Sequence, residues 1–402
     1  MNITGGGVCA PAGFSAAGAA AGIKNPDKPR LDCALIASEA PCVATGVFTT
    51  NQVKAAPVIW DEHVCARGTA RALFANSGNA NACTGEQGVN DVHDTAARVA
   101  QQLGLQPDEV LIASTGVIGV PLPMARLIQG VDDTAAALST SGGDDAAHAI
   151  MTTDTVPKTM ACTLKLGGVE ARIGAMAKGA GMIAPNMATM LCFITTDAAI
   201  GRDDLRNLVR ACVDRSFNRI CVDNDMSTND TVLCLANGRA GNAPLVPATP
   251  EYEQFSRALE HTCGTLAEAL VRDGEGASKL VIIEVTGAAS DADARAVARS
   301  VAHSQLCKTA FAGEDPNWGR IACAVGYAPA QVDAAVLDLY LGEVQVVAGG
   351  TPTAYREEDA AAHMRENVVH VRAHLGLGAG ACTFKTTDLS HDYVRINADY
   401  RT

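Results

Sequence analysis

Aromatic side chains are scarce in this chain: Phe, Trp and Tyr supply only 4% of 402 residues, although 48% are hydrophobic. Its core must therefore be built from alanine and small aliphatics, which let sheets and helices approach closely. Net positive charge is lacking too. The formal charge of −13 repels nucleic acid and anionic membranes, so neither is expected as a partner. No stretch reaches the roughly 20 apolar residues that span a bilayer. The start, MNITGGGVCAPAGF, has no basic segment followed by a long apolar run, so it does not read as a secretory signal. The 14 cysteines run from Cys9 to Cys382 without one C-x-x-C pair, which argues against a compact metal knot. Cys192, Cys221 and Cys234 sit in apolar runs and read as small buried hydrophobes. Reduced thiols and a cytoplasmic location are expected. The stretch NSGNANACTG lacks the Lys-Ser/Thr ending of a P-loop, which counts against nucleotide binding.

Short apolar runs alternate with longer amphipathic segments, the mark of a mixed α/β protein, and the length suits two or more domains. The pattern predicts strands at Ala34 to Ala37, Val58 to Trp60, Val110 to Ala113, Cys192 to Thr195, Val232 to Leu235 and Leu280 to Val285. Helices are expected at Asn90 to Leu103, Pro123 to Leu138, Arg202 to Arg215, Pro250 to Arg272 and Ala292 to His303. The Gly- and Pro-containing stretch from Asn237 to Pro250 reads as a surface loop.

The most informative segment is KGAGMIAPNMATMLCFITTDA, from Lys178 to Ala198. It sets Thr189 behind the small Ala188, after an approach that Gly179, Gly181 and Pro185 can bend. A threonine hydroxyl is a poor nucleophile unless a base takes its proton, and one solution uses the threonine's own α-amine. For Thr189 that requires cutting the Ala188–Thr189 bond, by attack of the Thr189 hydroxyl on the Ala188 carbonyl and hydrolysis of the resulting ester. The new amine, with a pKa of roughly 7.7 to 8.0, would then serve as general base. Lys178 supplies a nearby positive charge. On local pattern alone a buried strand over Met190 to Thr195 is the commoner explanation.

Acyl transfer also needs donors aimed at an oxyanion, and Thr115-Gly116 lies where a strand ends in ASTGVIG. A plain turn with Gly116 at positive φ explains the same residues. His370, Arg372 and His374 alternate on one strand face and read as solvated rather than metal-bound; Trp318 suits a helix start or a pocket wall. The acids and amides of NDMSTND read as backbone caps rather than a cation site.

Many ordered blocks resemble one family over nearly the whole chain: GVCAPAGFSAAG, FANSGNANACTG, IASTGVIG, AIMTTDTVPK, KGAGMIAPNMATML, SFNRICVDNDMSTNDT, GEGASK, GEDPNWGRI and DYVRINADYRT. It is the ornithine acetyltransferase, or glutamate N-acetyltransferase (ArgJ), family of arginine biosynthesis. The resemblance implies a helix-sheet-sheet-helix sandwich of the self-cleaving DmpA/ArgJ-like type. It implies an alpha chain, 1–188, and a beta chain, 189–402, that stay one folded unit and pair as a heterotetramer. It assigns the nucleophile to Thr189, the oxyanion hole to Thr115 and Gly116, and substrate contacts to Thr152, Lys178, Thr189, Glu275, Asn397 and Thr402. Thr153 and Thr155 are alternatives for the Thr152 contact. The implied reaction passes an acetyl group from N-acetylornithine through Thr189 to glutamate, with no cofactor or metal; acetyl-CoA is a candidate second donor. Glu275, on a glycine-bracketed turn, would face the ornithine ammonium, although a helix-capping acid fits it as well. A docked tail needs structure, and alternating Tyr393, Arg395 and Asn397 predict a strand there rather than a frayed end. Two rivals remain at this level: a hydrolase with the same self-cleaving chemistry, and an uncut amino-acid-binding protein in which Thr189 is core.

Overall fold

The structure, a computed structural model, describes residues 1–27, 30–184 and 190–399. The chain divides into two compact units, one formed mainly by Met1–Asn218 with Asp225–Leu270, the other by Arg219–Asn224 with Val271–Arg401.

The first unit begins with β1 (Asn2–Thr4), β2 (Phe14–Ala19) and the long β3 (Cys33–Phe48). Then come α1 (Ala56–Arg67), β4 (Thr69–Asn79), α2 (Gly85–Leu103), β5 (Val110–Val117), α3 (Met124–Ala136) and α4 (Gly143–Ala149). The antiparallel run β6 (Lys158–Leu166), β7 (Val169–Lys178) and β8 (Leu191–Thr196) leads into α5 (Arg202–Arg215). A two-residue strand, β9 (Ile220–Cys221), belongs to the second unit; β10 (Thr231–Ala236) and α6 (Pro250–Arg272) complete the first. Hydrogen bonds connect the strands in the order β1-β6-β7-β8-β10-β3-β4-β5, with β2 on β3.

This sheet folds over on itself at β3. Register shifts between Ala37 and Cys42; before the shift β3 pairs with β2 and β4, and from Val43 on it pairs with β10. β7 and β5 lie five strands apart in the bonded order, roughly 24 Å in a flat sheet. Yet Lys178 Nζ at the end of β7 is 3.5 Å from Thr115 Oγ1 on β5. The period-2 alternation of strands explains what fills the fold. Ala34, Ile36, Leu73, Ala75, Leu111 and Ala113 share one buried core with Met176, Phe193, Leu233 and Leu235. Their neighbours Cys33, Leu35, Ala72, Phe74, Val110 and Ile112 face the opposite way, against Val92, Ala96 and Val99 of α2 and Leu127 and Val131 of α3. On the other leaf, Cys192 and Cys234 face Cys212 of α5 and Cys263 of α6. The expected helix-sheet-sheet-helix layering is therefore present within this unit. All fourteen cysteines are free, and Cys192, Cys221 and Cys234 are fully buried.

The second unit is built on a seven-stranded sheet. Its remaining elements are β11 (Leu280–Ala288), α7 (Asp291–His303), α8 (Gln305–Ala312), α9 (Trp318–Gly326), β12 (Asp338–Leu341), β13 (Val344–Ala348), β14 (Thr351–Pro352), α10 (Glu357–Met364), β15 (Val368–His374), β16 (Gly380–Thr387) and α11 (His391–Asp399). The strand order is β14-β13-β12-β15-β11-β16-β9. Val281, Ile283, Val369, Val371 and Phe384 meet Val297, Val301, Phe311 and Val325 from α7, α8 and α9. His370 and His374 point to solvent, as expected. No helix of the described residues is long and apolar enough to cross a membrane.

Two expected strands are helical. Val58 to Trp60 lies in α1, where Pro57 stands in the first turn and Pro57, Val58, Asp61 and Val64 are buried at helical spacing. Three apolar residues were too few to distinguish the two periods. Tyr393, Arg395 and Asn397 lie in α11. There Arg395 pairs with Asp392 at 3.0 Å, and the Asn397 amide donates to the carbonyl of Tyr393 one turn back at 3.1 Å.

Asp61 of α1 bonds to the β5 edge of the first unit's sheet. It is 1% exposed, and its Oδ1 accepts from the Ile112 N–H of edge strand β5 at 2.8 Å. Among the described residues Oδ2 has no hydrogen-bond partner, and burial pushes the carboxyl well above its usual range. With the folded value raised, the folded protein holds more protons than the unfolded chain above about pH 4, so stability falls as pH rises. Asp61→Asn keeps an acceptor without the charge. It should melt a few degrees higher than the parent at pH 8, with the gap closing near pH 4; an equal gap at both values in calorimetry would reject this account.

Candidate active site

One carboxylate organises the candidate site of the first unit. Asp154, in the loop before β6, has a fully buried side chain, with Lys158 Nζ 2.7 Å from Oδ1 and Lys178 Nζ 3.9 Å from Oδ2. The Gly179 N–H donates to Oδ1 at 2.7 Å and the Thr152 N–H to Oδ2 at 3.0 Å. Burial alone would raise this carboxyl. Lys178, Lys158 and the Gly179 amide outweigh it and hold the group at about 2. Asp154 is thus a fixed anion that pins two lysines and the backbones of Thr152 and Gly179. Of the candidates in TTDT, the Thr152 backbone is tied to Asp154, while Thr155 is exposed.

Lys178 ends β7, is 2% exposed, and pairs in register with Leu191 at the start of β8. The link between these two neighbouring strands contains Ala188 and Thr189, which lie outside the described residues, as does Thr402. Its described part is bent: Gly179 has φ +153° and Met182 has φ +56°, a left-handed conformation that a methionine adopts at a cost.

Thr115, 4% exposed, stands on β5 facing Lys178. Gly116 follows with φ +135°, and a Cβ there would sit 2.3 Å from the Gly78 carbonyl carbon of β4. No side chain fits between these strands, so the backbone at Gly116 must stay bare. The loop from Asn224 to Asp230 braces the same corner. The Asn229 amide donates to the carbonyls of Ala80 at 2.7 Å and Ser114 at 2.8 Å. Asp230 Oδ1 accepts the Met190 N–H at 2.9 Å. The capping use expected for NDMSTND is what these bonds show, although capping here serves the site itself. Among the described residues no cluster of His, Cys, Asp and Glu is placed to hold a metal.

Glu275 and Asn397 meet within the second unit, where the Asn397 amide donates to Glu275 Oε2 at 2.8 Å. Glu275 is 8% exposed. Its turn is held by α11, since a Cβ on Gly276 would fall 2.3 Å from the Tyr393 nitrogen, and Ser390 Oγ donates to the Gly276 carbonyl at 2.6 Å. Asp388 accepts from Ser278 N–H and Oγ–H and from Lys279 N–H. Asn397 is therefore on a helix that touches the Glu275 turn, although no residue of that helix is buried, and Glu275 caps no helix end but accepts from the Asn397 side chain.

Sequence reading missed Asp154 and Lys158, and it read Asn229 and Asp230 only as part of a capping cluster. An acid four residues before a lysine is too common a pattern to stand out, and which chain segments it joins appears only in three dimensions.

Comparison with known proteins extends these observations. A family model described as the ArgJ family matches residues 15–402. An arginine biosynthesis bifunctional protein ArgJ from Symbiobacterium thermophilum is 53% identical over 397 residues, covering 99% of both chains. Its counterpart from Geobacter sulfurreducens is 50% identical over 394 residues, 97% of this chain and 99% of the other. The crystal structure of arginine biosynthesis bifunctional protein argJ from Bacillus halodurans matches with a TM-score of 0.51 and 43% identity, covering 52% of this chain and 98% of that one.

Proposed function

The chain belongs to the ArgJ family, and from that premise we propose that it is a self-processing acetyltransferase of arginine biosynthesis which uses Thr189 as nucleophile. It is a glutamate N-acetyltransferase. The observation that carries the site assignment is the convergence of Lys178, Thr115 and Asp154 at the two ends of the link containing Ala188–Thr189.

The Thr189 hydroxyl attacks the Ala188 carbonyl, the amide nitrogen leaves as an amine on Thr189, and water hydrolyses the ester. The freed amine then takes the hydroxyl proton, and Oγ attacks the acetyl carbon of N-acetylornithine. Thr115 and the Gly116 amide hold the oxyanion, a role that typically lowers the barrier by about 3–4 kcal/mol per donor. Ornithine leaves, and the amine of glutamate attacks the acetyl-Thr189 ester to give N-acetylglutamate. Lys178, buried against a fixed anion, stays oriented to stabilise the substrate carboxylate or the reacting centre. Thr152, Asn397 and Thr402 complete the substrate contacts. The cycle needs no metal or organic cofactor, and acetyl-CoA is a second donor of the same acetyl group. The pieces 1–188 and 189–402 assemble as a cytoplasmic heterotetramer. Consistent with a cut, the solved chain from Bacillus halodurans matches only about half of this one while being nearly fully covered itself.

Denaturing intact-mass spectrometry before and after exposure to N-acetylornithine, without glutamate, tests the reading. Two pieces, with one acetyl added only to that beginning at Thr189, are expected. A single unmodified chain would refute the nucleophile. Free acetate in place of acetylglutamate, when glutamate is supplied, would make the protein a hydrolase.

Glu275→Gln keeps an acceptor for Asn397 but removes the charge offered to the ornithine ammonium. It should raise KM for N-acetylornithine about tenfold, the worth of a charge-assisted bond, while self-cleavage proceeds at the parent rate. A variant blocked in processing would reject that division.

A further inference from the structure

Among the described residues, Asp230 is the one buried carboxylate bonded to the backbone of Met190, and it has no role in the scheme above. It is fully buried. Its Oδ1 accepts the Met190 N–H at 2.9 Å, and the following Thr231 N–H donates to the Met190 carbonyl at 3.1 Å. Both backbone polar groups of Met190 are thereby held from one dipeptide. That dipeptide is itself fixed, because the Asp230 carbonyl accepts from Thr49 N–H at 2.9 Å beyond the end of β3. Its neighbour Asn229 is bonded to Ala80 and Ser114. The peg therefore refers the position of Met190 to the strand ends that carry Thr115.

Cutting the 188–189 bond would turn a continuous chain into a chain start, and chain starts fray unless tied down. Met190 N–H is the first amide after Thr189, one covalent bond from the Thr189 carbonyl carbon. A misplacement of about 1 Å can cost on the order of 10²-fold in rate. Among the described residues Asp230 Oδ2 has no hydrogen-bond partner, so retaining a carboxyl here costs stability, and an unsatisfied buried group calls for a reason.

We propose that Asp230 is a positioning residue for Thr189, clamping the Met190 amide so that the nucleophile stays in register with Thr115 during self-cleavage and after it. The inference rests on Thr189 being the nucleophile. The full chain carrying Asp230→Asn or Asp230→Ala tests it, reading the rate of appearance of the two pieces by mass spectrometry and then kcat and KM for acetyl transfer. Asn retains an acceptor oxygen and should cut and turn over within about fivefold of the parent. Ala should slow both cutting and kcat, taken per folded and cut molecule, by about 10²-fold with KM changed less than threefold; circular dichroism and intact mass fix the folded, cut fraction, so a general loss of folding is not read as a loss of kcat. An Ala variant of parental rates, or one whose loss falls on KM, overturns the clamp. If Ala does not fold, Asn decides: a loss above tenfold overturns the proposal and a loss below it supports it. A parent protein that stays one unacetylated chain defeats the Thr189 reading instead, whatever the Asp230 variants do.

Discussion

Thr189→Ala should be recovered as one uncut chain with acetyl transfer lowered by about 10⁴-fold or more, the scale seen when a nucleophile is removed. Two losses coincide in this substitution. Without the hydroxyl nothing attacks the Ala188 carbonyl, so the amine that would act as base is never released. Thr189→Ser retains both groups and should still cut, more slowly, since it lacks the β-methyl that restricts χ1. Mass spectrometry and a coupled assay for N-acetylglutamate read both variants. An active, uncut Ala variant would sink the mechanism, because an internal residue has no α-amine to offer.

The second large effect is expected at Asp154. Asp154→Ala leaves Lys158 and Lys178 buried without the anion that holds them, and breaking a buried pair of this kind costs about 3–5 kcal/mol. Gly179 and Thr152 lose their acceptor at the same time. The pH dependence follows from the direction of the shift. Buried, but beside two lysines, Asp154 has its folded value lowered from 3.8 to about 2. Its stabilisation is therefore fully present above about pH 4 and drains away as pH falls towards 2. Denaturant unfolding at pH 7 and pH 3 should show a smaller gap between parent and Asp154→Ala at the lower pH. Asp154→Leu combined with Lys158→Met should regain part of the stability, because the principal pair is replaced by apolar groups. It should not regain activity, because Lys178 would still lack its partner. Recovery of kcat in the double variant would mean that Asp154 serves the fold alone.

What could be read from sequence divides along physical lines. Arg202 to Arg215 and Pro250 to Arg272 carry enough turns for the helical period and their terminal signals to fix both ends, and the structure agrees at every boundary. Buried strands such as Val232 to Leu235 stood out as short β-branched and aliphatic runs. Segments of three residues did not, so α1 and α11 were misassigned as strands. The layering was expected only through family resemblance. Hydrophobic alternation says which residues face a core, but the fold-over at β3 depends on which strand pairs with each half, a long-range choice that alternation cannot encode. The site shows the same limit. Thr115, Gly116 and Lys178 stand in distinctive motifs, whereas Asp154 makes its contacts from an ordinary-looking loop, and the cluster that holds Asp230 showed its capping chemistry but not which strands it would join.

The strand order carries a consequence for the cut protein. β8 and β10, which fall after the cut, lie between β7 and β3, which fall before it. The smaller piece alone would therefore possess a sheet with its middle missing and two raw edges, and the larger piece, which keeps the second unit's seven-stranded sheet, would hold β8 and β10 with no flanking strands. Neither piece could complete the first unit alone, so within that unit parting the two polypeptides and unfolding are one event. Genes encoding 1–188 and 189–402 separately would have to meet during folding to give enzyme. Purified pieces mixed after the fact would aggregate rather than associate. Once made, the break is one the molecule can neither reseal nor come apart at.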